Sequence, residues 1–220
     1  MLTVHHLENS RSQRVLWLLE ELRLPYDVKH YKRDANYLAP TELKKIHPLG
    51  KAPVIVTDEG EVIAETGAIM DYILHTYDGT GLIPQPKTRA RNAFTYWMFY
   101  AEGSAMQPLL LKLVVDRIRT KTPLLARPIA SRIAEKIEEL MVRPNLQANI
   151  DFWEKTLTDH EWFAGDEFTA ADIMMSFPVE AAAARAGAGD RPHVRAWLDR
   201  IHARPAYGRA LERGGPYAYA

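Results

Sequence analysis

The 220-residue sequence contains no cysteine. That absence excludes disulfide frameworks, iron–sulfur clusters, thiolate zinc sites and a cysteine nucleophile. Any thiol chemistry on this scaffold must use a sulfur that arrives with a ligand. A surplus of charge is missing too, since 28 basic side chains balance 28 acidic ones. Divided at residue 78, the front part carries nine basic and twelve acidic residues and the remainder 19 and 16. Neither part has the basic excess that phosphate-driven nucleic-acid binding relies on. No apolar run approaches the roughly 18–20 residues of a bilayer span. The opening Met1-Leu2-Thr3-Val4-His5-His6 lacks the basic segment and long apolar stretch of a secretory leader. The expectation is a soluble, cytoplasmic protein without a nucleic-acid or membrane partner. What is present, 47% apolar and 25% charged residues, suffices to fill a core.

Other chemistry is missing as motif. The eight histidines have no metal-ligand spacing; His5 and His6 are adjacent and on a strand face opposite sides. Gly79, Gly81, Gly187 and Gly189 fit neither a phosphate loop nor a dinucleotide fingerprint. No histidine and aspartate stand in a hydrolase motif, so a Ser/His/Asp triad is unsupported. No metal is expected.

The pattern of elements is more telling. Leu2-Thr3-Val4-His5 reads as a strand, and Val15, Leu18, Leu19 and Leu22 form the stripe of an amphipathic helix. Ser10 and Gln13 have capping-box spacing ahead of it. Tyr26 to Tyr31 suits a second strand, and Pro40 to Ile46 a short helix ended by His47-Pro48 and Gly50. Val54-Ile55-Val56 and Val62-Ile63-Ala64 flank Asp58-Glu59-Gly60, a hairpin signal, and a helix runs from Thr66 to His75. The order β-α-β-α-β-β-α predicts a mixed four-stranded sheet with a right-handed parallel crossover at its start. Composition shifts at Asp78-Gly79-Thr80-Gly81, giving an α/β unit over 1–78, a linker over 79–88 and an all-α bundle over 89–220. In the bundle, Phe94, Trp97, Met98, Ala101 and Ala105 hold helical spacing, as do Ile129, Ile133, Ile137, Leu140 and Met141. Pro144 interrupts that run before Leu146, Ile150, Trp153 and Leu157 resume it. The aromatic group Phe94, Tyr96, Trp97, Phe99 and Tyr100 covers all faces of its helix, so part of it borders a cleft or a partner subunit.

Four places admit more than one role. Pro53, at the doorstep of a strand, is either an edge start or a cis peptide that presents the main chain of Ala52 to an extended peptide ligand. Thr66 is either a helix N-cap or, with Glu65, a receptor for an amino-acid end, in which the helix N-terminus takes a carboxylate and Glu65 an ammonium. Ser10 is either half of a capping box or a hydroxyl placed to stabilise a thiolate, with Ser12 and Asn9 as rivals for that role. Thr169 and Asp172 have N-cap and N3 spacing, with Phe168 and Ile173 at the staple positions, and read as structural.

Taken in series, four segments resemble the glutathione S-transferase family. They are Asn9-Ser10-Arg11-Ser12-Gln13-Arg14-Val15-Leu16-Trp17-Leu18-Leu19-Glu20-Glu21-Leu22, His47-Pro48-Leu49-Gly50-Lys51-Ala52-Pro53-Val54, Glu65-Thr66-Gly67-Ala68-Ile69-Met70-Asp71-Tyr72-Ile73 and Phe163-Ala164-Gly165-Asp166-Glu167-Phe168-Thr169-Ala170-Ala171-Asp172-Ile173. The stretch from Tyr31-Lys32-Arg33-Asp34-Ala35-Asn36 through Pro53 is most similar to a fungal and bacterial, theta-like branch. The resemblance implies a thioredoxin-like N-terminal domain that binds glutathione as co-substrate, joined to an all-α C-terminal helical bundle. It implies Ala52 and a cis Pro53 against the cysteinyl part, Lys51 at the glycine carboxylate and Glu65 with Thr66 at the γ-glutamyl end. Ser10 then stands beside the sulfur. A small hydrophobic electrophile would lie between the domains, with Tyr100 and Met106 lining its site, in a homodimeric detoxification enzyme. A glutathione-dependent disulfide or peroxide reductase and a non-catalytic binding module are the alternatives. The sequence departs from the family in having Thr66 where serine is usual and His47 where asparagine is common. It also has no tyrosine in the loop before the first helix, which disfavours a tyrosine-type mechanism.

Overall fold

The computed structural model describes residues 1–34, 38–77 and 79–219; Ala35 and Asn36 of the segment quoted above, and Asp78 at the proposed boundary, lie outside them. Four strands form one sheet: β1 Leu2–Leu7, β2 Tyr26–Tyr31, β3 Val54–Val56 and β4 Val62–Ala64, in the order β2-β1-β3-β4. β1 and β2 pair in parallel, Leu2 opposite Tyr26 through Leu7 opposite Tyr31. β3 runs antiparallel to both β1 and β4. The crossover helix α1, Ser12–Glu21, joins the parallel pair, and α2, Thr66–Thr76, follows the hairpin. The expected helix at Pro40 to Ile46 is a single 3-10 run, Thr41–Lys45.

Helix α1 decides how the two parts meet. Its expected stripe of Val15, Leu18 and Leu19 is buried, but so are Leu16 and Trp17 on the other side. The sheet covers one face, while α7, Ala170–Ala186, and α9, Pro205–Gly214, cover the other. A helix buried all round cannot show a polar face, which is why its sequence is apolar beyond the stripe. Charged side chains lock the ends of this sandwich: Arg204 donates to both oxygens of Glu21 at 2.6 and 2.9 Å, and Arg209 Nε to Glu20 at 2.7 Å. One contiguous hydrophobic core therefore runs from β1 through α1 into the bundle.

The bundle has α3 Arg89–Tyr100, α4 Met106–Lys121, α5 Arg127–Ile137, α6 Arg143–Asp159 and α8 Pro192–His202 beside α7 and α9. The one-turn π segments Ala101–Ala105 and Glu138–Val142 join α3 to α4 and α5 to α6. Pro144 comes directly after the π segment, in the first turn of α6, so the regular α-helical run is interrupted ahead of it. The run from Ile129 to Met141 is helical as expected, yet Ile129, Ile133, Leu140 and Met141 are exposed. Only the flank carrying the buried Ala134 faces the rest of the bundle, because a small residue there lets α4 approach closely. Among the described residues, no helix is long and apolar enough to cross a membrane.

Candidate active site

A cleft of about 720 Å³ opens where the sheet's carboxyl end faces the bundle. The β1–α1 loop, the turn before β3, α4, α7 and the C-terminal segment line it. It brings together Ser10, Asn9, Lys51, Ala52 and Met106. Ser12, Pro53, Glu65, Thr66 and Tyr100 do not line it.

Ser10 is the hydroxyl at the cleft and is tied down behind. The capping box with Gln13 does not form: α1 has Arg11 as N-cap with no side-chain cap. Ser10 Oγ instead accepts the N–H of Ser12 at 3.2 Å and lies 2.7 Å from Ser12 Oγ, which lies 2.8 Å from His6 Nδ1. Ser12 Oγ also accepts the N–H of Leu7 at 3.3 Å. Ser12 Oγ has one proton for three neighbours, Ser10 Oγ, the Leu7 carbonyl at 3.3 Å and His6 Nδ1; where that proton goes to Ser10, the Ser10 proton is left for the cleft. Ser12 is fully buried, so of the three rivals it acts behind Ser10 rather than beside it. Asn9 is otherwise engaged: its Oδ1 accepts the N–H of Ala218 at 2.8 Å, pinning the C-terminal segment. The chain at Asn9 has φ of +49°, a left-handed conformation asparagine tolerates.

The peptide Ala52–Pro53 is cis. Ala52 stands just outside the ladder, whose pairs begin at Val54, with the exposed Lys51 before it.

At the start of α2 the N-cap is Glu65, with φ of +71°, and Thr66 is the first helical residue; this corrects the reading of Thr66 as the cap. A non-glycine residue in that region is strained and is held by its surroundings. Thr66 is buried, and its Oγ1 accepts from Arg14 at 3.4 Å. Arg14, fully buried in α1, also bonds Glu102 in the π turn and the carbonyl of Met174 at 2.8 Å. Arg11 adds a second cation 3.4 Å from Glu102. Burial alone would raise the Glu102 carboxyl, but Arg14 and then Arg11 more than offset this and hold it below the usual range. A charged bridge thus spans the two parts directly behind the N-terminus of α2. Sequence reasoning missed it, because nothing in local spacing marks Arg14 as buried.

Tyr100 is corrected as a lining residue. It is buried in the bundle against Trp97 and Phe152, and its hydroxyl donates to Asn149 at 2.6 Å. The missed lining residues include Leu109, Leu110 and Leu113 of α4, Phe177 of α7, and Ala218 and Tyr219 at the C-terminus. A signal existed: from Met106 the apolar positions Leu109, Leu110 and Leu113 recur at helical spacing.

Thr169 and Asp172 lie elsewhere and form the capping box of α7. Thr169 Oγ1 accepts the Ala171 N–H, and Asp172 accepts the Thr169 N–H. Asp172 also takes the N–H of Phe163 and Nε1 of Trp197 at 3.0 and 3.1 Å. Among the described residues, no group of three or more metal-ligating side chains is assembled.

Comparison with known proteins places this geometry. Residues 10–76 match the family described as glutathione S-transferase, N-terminal domain, and residues 116–205 match its C-terminal domain. The chain is 33% identical to glutathione S-transferase 1 of Saccharomyces cerevisiae, over 97% of this chain and 95% of that one. It is 34% identical to glutathione S-transferase 3 of Schizosaccharomyces pombe, over 97% and 88%. A crystal structure of a glutathione S-transferase from Actinobacillus pleuropneumoniae superposes with a TM-score of 0.81 at 34% identity, covering 97% of this chain and 93% of that one. A mixed four-stranded sheet, a helical bundle and a cleft between them, matched over almost the whole chain, make this protein a member of the glutathione S-transferase family.

Proposed function

We propose that glutathione lies along the turn at Pro53, from the start of α2 to the mouth of the cleft, where its thiol is ionised at Ser10 for attack on a hydrophobic electrophile. The observation that carries the reading is the Ser10 hydroxyl, set at the cleft by Ser12 in a chain that owns no thiol. The main chain of Ala52 pairs with the cysteinyl part as an added strand, and Lys51 takes the glycine carboxylate. Glu65 accepts the γ-glutamyl ammonium. Thr66 Oγ1 already accepts from Arg14, so its proton is left to donate to the adjacent carboxylate. At the sulfur, Ser10 and the start of α1 favour the thiolate, the stronger nucleophile. Lowering a thiol pKa by two units is about 2.7 kcal/mol of differential stabilisation. Charge-assisted hydrogen bonds supply about 1.5–3 kcal/mol each, so few are needed.

The protein acts as a homodimer on this reading; Phe99 of α3, 76% exposed, is the kind of side chain a second copy covers.

Substitution separates the roles. Ser10→Ala lowers turnover with little effect on glutathione affinity, whereas Glu65→Ala weakens glutathione binding while the fold survives. Unchanged turnover in the first, or wild-type affinity by calorimetry in the second, removes that residue from the mechanism. Turnover confined to glutathione mixed disulfides reassigns the cleft to disulfide reduction, and absence of glutathione binding leaves a non-catalytic module.

A further inference from the structure

Leu124 and Leu125 stand at the apex of the turn between α4 and α5, 76% and 98% exposed. Pro123 drives Thr122 into the extended region and ends α4, and the N–H of Ala126 returns to the Pro123 carbonyl at 3.0 Å. Pro128 sets the first turn of α5. The two leucines are thus the central pair of a tight turn whose flanking prolines leave the backbone little freedom. Turns ordinarily carry glycine, asparagine, aspartate or serine. Leu125, Ile129 and Ile133 then succeed one another at steps of four, so the apolar surface continues up an exposed face of α5.

Charge is distributed unevenly around this apex. From Arg117 to Ala134 the sequence has five basic residues and no acid, in a chain whose charges cancel. Arg119 pairs with Glu138, and Arg117 has partners within the protein. The exposed Lys121, Arg127 and Arg132 supply the charge at the surface. Arg127 opens α5, where the helix dipole disfavours a cation, so helix formation does not explain it. A second copy meeting the same apex would bring these cations together. The apex also lies about 33 Å from Phe99 along the run of α3 and α4. Nucleic acid would engage the cations and leave the leucines in water.

We propose that the turn between α4 and α5 docks this protein on an anionic lipid surface. Leu124 and Leu125 enter the headgroup boundary, and Lys121, Arg127 and Arg132 meet the lipid phosphates. Exposed apolar side chains bordered by cations make an interfacial anchor, which seats about 5–10 Å deep and spans nothing. Each cation near an anionic leaflet contributes about fivefold in binding. The proposal departs from the expectation of no membrane partner, which rested on charge summed over whole parts of the chain. Leu113, which lines the cleft, lies about 12 Å back along α4 from Lys121, so docking holds the cleft close to the leaflet. The docking itself does not depend on the reading of Ser10.

Co-sedimentation with lipid vesicles tests this. The whole protein pellets with vesicles of equal parts phosphatidylglycerol and phosphatidylcholine, stays in solution with phosphatidylcholine alone, and is released by salt. Leu124→Ser combined with Leu125→Ser lowers the binding about tenfold or more. Arg127→Gln combined with Arg132→Gln lowers it about 25-fold. All four positions are exposed, so urea unfolding of both variants matches the wild type. In a Leu125→Trp variant, indole emission moves to shorter wavelength with the anionic vesicles and not with the neutral ones. Wild-type protein that ignores anionic vesicles, binding that survives the leucine pair, or an unmoved indole emission overturns the proposal. A leucine pair that changes the oligomeric state by sedimentation equilibrium gives the apex to a second copy and overturns it as well.

Discussion

Pro178 has no N–H to offer the carbonyl of Met174 four residues earlier in α7, and Arg14 takes that carbonyl instead, Nη1 donating at 2.8 Å. A proline that would ordinarily weaken a helix here opens an acceptor for a buried guanidinium. Arg14→Met should therefore do more than remove packing. It leaves the Met174 carbonyl unpaired and Glu102 with only Arg11 beside it. Breaking one partner of a buried pair costs about 3–5 kcal/mol. Joint replacement, Arg14→Met with Glu102→Leu, should recover part of that loss, because the uncompensated carboxylate goes too. Urea unfolding measures both. Arg14→Met unfolding with the wild type would show that the bridge contributes nothing.

The contact between Ser12 and Ser10 carries a separate prediction. With Ser12→Ala, Ser10 keeps the Ser12 N–H but loses the hydroxyl 2.7 Å away that sets its direction. A net hydrogen bond of about 0.5–1.5 kcal/mol corresponds to roughly half a unit to one unit of pKa. The thiol of bound glutathione should titrate that much higher, read from thiolate ultraviolet absorbance, with glutathione affinity unchanged. An unshifted titration would mean that the Ser12 N–H alone orients Ser10.

How far the sequence reached depends on the range of the interaction. The four strands and α2 were legible because period and turn chemistry are local, and Val54–Val56 and Val62–Ala64 stand where β-branched runs put them. The box at Thr169 and Asp172 was legible for the same reason. Ser10 misled as a cap because Gln13 has the right spacing, yet its amide is buried without a side-chain partner while Ser12 takes the hydroxyl. Arg14, Glu102 and the Tyr219 segment were illegible: their partners lie 88 to 209 positions apart in the chain for Arg14–Glu102 and Asn9–Ala218. Only the packing of α1 between sheet and bundle brings them together.

Two buried groups give the stability a pH signature of opposite signs. Burial, and then His30, hold His6 down at about 4, against the Gly214 backbone and Glu8. The unfolded chain binds this proton near 6.5 and the folded one near 4, so stability is lost as pH falls through that window, by up to about 3 kcal/mol. Burial pushes Asp172 up to about 6, partly offset by its four hydrogen bonds. The folded state keeps that proton longer, so stability is lost as pH rises from 3.8 to about 6. The two slopes oppose each other between about pH 4 and 6. His6→Gln removes one of them. Its stability, measured by denaturant titration, should fall as pH rises across that range while the wild type stays flatter. A wild-type-to-variant difference independent of pH would refute the burial of a neutral His6.

The C-terminal segment closes one wall of the cleft and is held at two points. Asn9 Oδ1 accepts the Ala218 N–H, and the Tyr217 hydroxyl donates to Glu180 at 2.6 Å. Glu180 is buried and also receives Tyr207 at 2.6 Å and His202 at 3.1 Å. Asn9→Gly isolates the first anchor, because glycine accepts the positive φ without strain and removes only the amide. Tyr217→Phe removes one of three partners from Glu180 and should cost about 1–2 kcal/mol. In both variants carboxypeptidase should trim the chain faster than in the wild type, and the KM for the second substrate should change while glutathione affinity does not. Unchanged trimming in both would mean that ring packing, Tyr219 against Phe177 at 5.5 Å and over Arg185, holds the segment without either anchor.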